Sequence, residues 1–285
     1  MSVQLLEYFI DEPHESLNRG ETIVFLHGFP DNPAVWSDTS KHLTSRGYRV
    51  VRIALPGFES YSLDSGTPRF DGTLDRLHKT LIHTGSLGTT LIGHDWGAIL
   101  FYMLLLRYPM AAKRFVALEV GLAPRTWTMV CFVWLYHFLL NFAYWVGGAL
   151  GDKFMQFLCW LLPRPHYRGI LRPKAKHAWL YREAWRERAR YGPWYLYFRN
   201  VISAWTPAAG MPFMFLYGQD GVSCLRFHSE AWCQASTSHC NQSRFRGLPG
   251  GHWFFLQNPN EFYRELDIFL ANTGEISKVD SFTAS

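Results

Sequence analysis

Little in this 285-residue sequence is charged, and its five cysteines make no pattern. Asp, Glu, Lys and Arg together make up 18% of the chain, against 48% hydrophobic residues, which excludes an intrinsically disordered protein. Cys131, Cys159, Cys224, Cys233 and Cys240 are odd in number and fit no zinc spacing. Cys233, His239 and Cys240 lie close together but read as surface thiols rather than a metal site. Nothing at the amino terminus reads as a signal peptide, so reduced thiols and a cytoplasmic location are the expectation. There is no dense Lys/Arg block. The basic residues from Arg182 to Arg190 alternate with Glu183 and Glu187 and read as a solvated helix face. A nucleic-acid surface is therefore not expected despite a net charge of +5. Internal repeats and low-complexity tracts are also missing.

What is present is aromatic. Phe, Trp and Tyr make up 17% of the chain, with 12 Trp. A large aromatic core and an aromatic-lined pocket for an apolar ligand both account for this.

The sequence is organised around Gly93-His94-Asp95-Trp96-Gly97. A short apolar run ending at Ile92 leads in, and an apolar helical pattern, Ala98 to Leu106, leads out. This is the strand–turn–helix frame of a nucleophile elbow, with Asp95 where G-x-S-x-G places serine. Small residues must flank a nucleophile on so tight a turn. A carboxylate there suits attack on a saturated carbon, giving an alkyl ester of the enzyme. The plain alternative is a chance Gly-x-Asp-x-Gly in a strand–helix turn.

Strands are expected at 4–10, 22–26, 48–54, 89–92, 115–120, 212–217 and 242–246. Helices are expected at 36–46, 72–83, 98–106, 174–190, 227–235 and 261–271. Alternating strands and helices imply a doubly wound, mostly parallel α/β sheet. The alternation stops at Gly121. Residues 126–151 then contain no charged side chain and are rich in Trp, Tyr, Phe and Leu. That run is long enough for a membrane span. Yet it holds His137, Asn141 and two glycines and lies between pieces of one sheet, so inserted helices over an apolar cleft explain it better. Contact with a membrane surface through this segment remains open.

In open parallel sheets, ligands sit beyond the carboxyl ends of the strands. Asp95, Asp220 and His252 each follow a strand, in the order nucleophile, acid, histidine. Singly, each is an ordinary turn or surface residue. His27-Gly28-Phe29-Pro30 follows the second strand, and the backbone N–H groups of Phe29 and Trp96 are the candidate oxyanion-hole pair.

These motifs, with Gly251-His252-Trp253, resemble the α/β-hydrolase superfamily and within it the soluble-type epoxide hydrolases. The resemblance covers about residues 20–270. It implies a core of residues 1–122 and 206–272, a helical cap of residues 123–205 inserted after the sixth strand, and a polar tail of residues 273–285. It also implies that two cap tyrosines activate the epoxide. Tyr197, in a segment similar to the family's second-tyrosine segment, is the first choice for one, with Tyr195 as fallback. Tyr144 is the first choice for the other, with Tyr136 as fallback. All four are also plausible fillers of an aromatic core. Phe29, Trp96 and Trp253 are the expected substrate contacts.

The implied reaction opens a small apolar epoxide with water to a vicinal diol and needs no metal or cofactor. Two departures stand out. Gly218-Gln219-Asp220 is one residue tighter than the acid loop of epoxide hydrolases. Glu119 lies where some haloalkane dehalogenases carry their acid, making it a rival to Asp220, unless it merely pairs with Arg125. A haloalkane dehalogenase would share Asp95 and use Trp96 to hold halide, but usually has a polar residue where Phe29 stands. A non-catalytic apolar-ligand binder or membrane-associated scaffold with a hydrolase fold is the third alternative.

Overall fold

The structure is a computed structural model. It describes residues 4–59, 68–121, 127–161, 172–191, 207–208, 210–220 and 227–274. Seven strands form one sheet: β1 (Tyr8–Asp11), β2 (Thr22–Leu26), β3 (Arg49–Ile53), β4 (Thr89–His94), β5 (Ala112–Leu118), β6 (Phe213–Gly218) and β7 (Arg244–Leu248). Their order is β1-β3-β2-β4-β5-β6-β7, and only β1 runs antiparallel. β4 is central, with β2 on one side and β5 on the other.

The inner strands read as unbroken apolar runs because both faces of the sheet are covered. Successive residues point to opposite faces. Val24, Leu26, Leu91 and Phe115 join one core cluster, with helices α2 (Phe70–His83) and α3 (Trp96–Arg107). Ile23, Phe25, Ile92 and Val116 join the other, with α1 (Ser37–Ser45) and the C-terminal helices. α3 is apolar nearly all round because it is buried nearly all round: only Met103, Leu106 and Arg107 escape full burial.

The cap leaves the sheet after β5, the fifth strand. Among the described residues it follows a fifth strand, where a sixth was expected. The cap contains α4 (Trp127–Val146), α5 (Gly148–Trp160) and α6 (Trp179–Tyr191). Positive φ at Gly147 and Gly148 makes the sharp turn between α4 and α5. α6 starts after a short 3-10 turn, Ala175–Ala178, so the expected helix at 174–190 is really two pieces. The Trp179 indole N–H donates to the Pro56 carbonyl at 2.7 Å and fastens the start of α6 to the core. After β6 come α7 (Glu230–Thr237), β7, the short α8 (Phe254–Gln257) and α9 (Pro259–Gly274). Helix α9 runs past the expected boundary at residue 272. The four described cysteines are free thiols, and Cys224 lies outside the described residues.

Candidate active site

The carboxyl end of β4 delivers Asp95 on a strained turn. Its φ of 52° and ψ of −122° are unusual for a non-glycine residue, at a cost of roughly 1–3 kcal/mol. The flanking glycines are required by contact. A Cβ on Gly97 would strike the Leu26 carbonyl oxygen, and one on Gly93 would lie 2.7 Å from Ala98 backbone. Both clashes are with backbone, so the chain cannot yield locally.

The loop after β2 closes over the carboxylate. The Phe29–Pro30 peptide is cis. The Phe29 N–H donates to Asp95 Oδ2 at 2.9 Å, and the Trp96 N–H also donates to this carboxylate. Gly28 has no room for a side chain, since a Cβ there would meet the Asp95 side chain at 2.5 Å. His27 holds the loop from beneath: its ring pairs with the Gly28 carbonyl at 2.9 Å and accepts from the Leu55 N–H at 3.0 Å. Burial pushes the His27 imidazole down to about 4, so it is the neutral form that locks this loop.

His252 comes from the loop between β7 and α8. Its Nε2 lies 4.0 Å from Asp95 Oδ1, and its Nδ1 lies 3.6 Å from Glu119 Oε2. Glu119 follows β5 with a φ of 70°. Its N–H donates to the Leu216 carbonyl at 2.8 Å, and its Oε1 accepts from the Gly218 N–H. The neighbouring strand β6 therefore fixes Glu119 through both backbone and side chain. Asp220 is used differently: its Oδ2 accepts from the Gly250 N–H at 2.6 Å, and its own N–H donates to the Gly250 carbonyl at 2.9 Å. The carboxylate facing His252 is that of Glu119, while Asp220 ties the β6 and β7 loops together. The Asp220 side chain is engaged in that backbone pairing.

Charges tune the group. Burial pushes the Asp95 carboxyl up, against the pull of His252 and the two N–H donors, and the net shift is upward. Burial alone would lower His252, but Glu119, Asp95 and Asp31 outweigh it and raise the imidazole. Asp95 and His252 keep 14% and 15% of their side-chain surface open, whereas Glu119 keeps 2%. A small molecule can therefore reach the first two and not the third.

Three residues lie beneath this group: His94, Asp31 and Trp253. The fully buried His94 pairs its Nε2 with the His252 carbonyl at 2.9 Å, and its Nδ1 lies 3.8 Å from Asp31. Asp31 accepts from the Trp253 indole N–H at 2.9 Å. Burial holds His94 well below the usual imidazole range, so its own bond to the His252 carbonyl is a neutral donor's. Trp253 is sealed in the lower core on Asp31 and does not line the cleft, contrary to the expected substrate contact. Its large indole is needed where a buried carboxylate wants a donor.

The cap supplies the other wall. Tyr181 on α6 packs edge-on against Phe29 and Trp96, with ring centroids 5.1 and 5.2 Å away. Its hydroxyl is hydrogen-bonded to the Trp96 side chain and to Tyr136, and it feels the charge of Asp95. Burial, reinforced by Tyr136 and Asp95, raises its phenol well above the ordinary range. Tyr136, on α4, lies 5.8 Å from Tyr181 between ring centroids. Tyr144 sits two turns further along α4, where Arg182 covers its ring at 5.5 Å, so it is not the residue that meets Tyr181. Tyr195 and Tyr197 lie outside the described residues. Tyr181 has no distinguishing mark in the sequence because it directly precedes the charged stretch of α6.

Residues 21–259 match the family described as alpha/beta hydrolase fold. The chain belongs to the α/β-hydrolase fold family. Within it, the chain is 32% identical to Epoxide hydrolase 3 of Siraitia grosvenorii over 116 residues, which is 39% of this chain and 35% of that protein. It is 28% identical to Epoxide hydrolase 1 of the same plant over 196 residues, 59% of this chain and 60% of that one. This α/β hydrolase thus spans between 35% and 60% of the length of these two relatives. A solved haloalkane dehalogenase loop variant from Bradyrhizobium elkanii superposes with a TM-score of 0.71 at 16% identity, covering 95% of each chain. A thermophilic esterase from Thermogutta terrifontis gives 0.67 at 16% identity, covering 94% of each. At those identities the likeness is one of fold. The chain thus has the α/β-hydrolase fold and is related in sequence to the epoxide hydrolases.

Proposed function

We propose that this α/β hydrolase opens an apolar epoxide to a vicinal diol through an alkyl ester on Asp95. The observation that carries the reading is the surroundings of Asp95: two backbone N–H donors and His252 on the core side, and a protonated phenol, Tyr181, on the cap side. Serine chemistry is absent from the elbow, and a carboxylate nucleophile leaves an ester that needs a second, hydrolytic half.

In the first half, Asp95 Oδ2 stays on the Phe29 N–H, and Oδ1 attacks the less hindered epoxide carbon. The C–O bond of the ring breaks, and Tyr181, assisted by Tyr136, protonates the departing oxygen. A phenol held above its ordinary range remains protonated at neutral pH yet is far more acidic than an alkoxide's conjugate acid. In the second half, His252 takes a proton from water. The hydroxide adds to the ester carbonyl carbon, placing negative charge on the oxygen held by Phe29 and Trp96. Collapse expels the diol's second oxygen, which takes the proton from His252, and the proton left on the Asp95 carboxyl returns to the Tyr181 phenolate, so that both groups regain their starting state. Glu119 orients the imidazole and stabilises its cationic form, as the acid of a triad does. Alkylation also removes the Asp95 charge, one of the causes that hold His252 up. The imidazole therefore sheds its proton more readily when it is needed as a base.

The acid on Glu119, after β5, favours a second reading, haloalkane dehalogenation, in which the Trp96 indole and Tyr181 hydroxyl would hold halide. Phe29 offers no side-chain donor to that ion, which supports the epoxide instead. Incubation with a styrene-type epoxide and a haloalkane separates the two by diol or halide release. For the two-step mechanism, His252→Gln incubated with the turned-over substrate is expected to gain the substrate's mass on Asp95 by mass spectrometry. An unmodified mass while the wild type turns over would sink it.

A further inference from the structure

The cap carries an outer surface that the reaction does not use. On α4, Phe132, Leu135, Phe138, Phe142 and Trp145 follow one another at intervals of three or four residues and therefore share one helix face. All five are exposed, Leu135 by 57% and Trp145 by 60%. The opposite face, with Val133, His137, Leu140 and Asn141, is buried towards the core. A helix that is apolar all round is normally enclosed on every side, and α4 is enclosed on one. α5 continues the same surface with Leu150, Phe157 and Trp160, the last 75% exposed. The Phe142 and Phe154 rings, 5.8 Å apart, hold the two helices together as a hairpin.

Charge decides what covers it. Across residues 126–181 the sequence holds Lys153, Arg164, Arg168, Arg172, Lys174 and Lys176 against one carboxylate, Asp152. That carboxylate is already committed to the Ala175 N–H at 2.7 Å. Lys153 falls on the same face of α5 as Leu150, Phe157 and Trp160, and is exposed. Arg172, Lys174 and Lys176 are exposed around the 3-10 turn that packs on α4 and α5. Joining two copies through this face would bring like charges together with no free anion to offset them. An anionic lipid surface is complementary on both counts. It takes the apolar side chains below the headgroups, seats the exposed tryptophans at the boundary, and pairs the lysines with phosphate or carboxylate.

We infer that the α4–α5 hairpin of the cap lies flat in the surface of an anionic bilayer. No described helix is long and apolar enough to cross a membrane. The buried face of α4 borders Tyr181 and Trp96 through His137, whose ring lies 4.7 and 6.2 Å from theirs. A single helix would then separate the bilayer from the candidate site. The inference does not depend on which reaction that site performs.

The test is cosedimentation of the full chain with extruded vesicles, either of phosphatidylcholine alone or with about one-third phosphatidylserine. The wild type is expected to partition onto the mixed vesicles, less onto the neutral ones, and less again as salt rises. Leu135→Glu with Phe142→Glu should abolish partition. Lys153→Glu, Lys174→Glu and Lys176→Glu together should lower it by at least roughly tenfold. These side chains are exposed, and an unchanged far-UV spectrum and thermal midpoint check that each variant is folded. No partition of the wild type onto either vesicle overturns the proposal. Equal binding to both vesicles, unmoved by the lysine changes, overturns its anionic part. A stable dimer that Leu135→Glu with Phe142→Glu dissociates, without vesicle binding, assigns the face to a second copy and overturns it outright.

Discussion

The sheet end and the cap build their halves of the site in opposite ways. At the sheet end, backbone does the placing. Asp95 and Glu119 both stand at positive φ just after the neighbouring strands β4 and β5, and each is pinned by an adjacent backbone N–H, of Phe29 after β2 and of Gly218 at the end of β6. In the cap, packing of rings does it. Tyr181 is located by ring contacts with Phe29, Trp96, His137 and Tyr136. Chemistry that needs fixed geometry sits on the first half, and the half that must admit substrate rests on the second.

The sharpest break of that contrast is Asp95→Ala, expected to lower kcat by at least roughly 10⁴-fold in a diol-release assay while leaving the folded spectrum intact. Residual turnover near the wild-type rate would remove the elbow from the reaction. Next come the two acids. Glu119→Gln is expected to cost roughly 10³-fold in kcat, since it leaves His252 without a carboxylate partner. Asp220→Asn keeps an acceptor for the Gly250 N–H and should stay within about twofold. If the two values come out reversed, the acid role belongs to Asp220. Within the cap, Tyr181→Phe should lower kcat roughly 10²-fold, with a smaller change in KM, whereas Tyr144→Phe should leave both near wild type. Equal losses would mean that packing alone matters there.

The seam between the halves is read by stability rather than by rate. Phe58 stacks on the cap's His177 at 4.7 Å and meets the core's His27 edge-on at 5.4 Å. Burial lowers both imidazoles to about 4, each also repelled by neighbouring positive charge. An unfolded histidine takes up its proton near 6.5. The unfolded state therefore binds more protons between about pH 6.5 and 4, and stability is full above that window and drains as pH falls through it. Each histidine should contribute about 3 kcal/mol of loss by pH 4. Denaturant melts across that range should flatten in His27→Gln or His177→Gln. A curve unchanged by either substitution would sink the assignment.

Local sequence determined much of this protein. The apolar runs expected as strands at 22–26, 89–92 and 212–217 are buried parallel strands, Thr22–Leu26, Thr89–His94 and Phe213–Gly218. The glycines around Asp95 mark a turn where backbone meets backbone, as the elbow frame implied. Family, fold and the positions of Asp95 and His252 were legible because each depends on residues adjacent in the chain. The partner of His252 was not. Glu119 and Asp220 both follow strands, and only the lateral order β4-β5-β6 with its register turns one towards the imidazole and ties the other to Gly250. Nor was the ring that meets Trp96 legible. α4 offers Tyr136 and Tyr144 on nearby turns, and Tyr181 stands beside Arg182 in what reads as a charged surface helix. Which ring meets Trp96 follows from how α4 and α6 cross over the sheet, a matter of three-dimensional packing that no local spacing encodes.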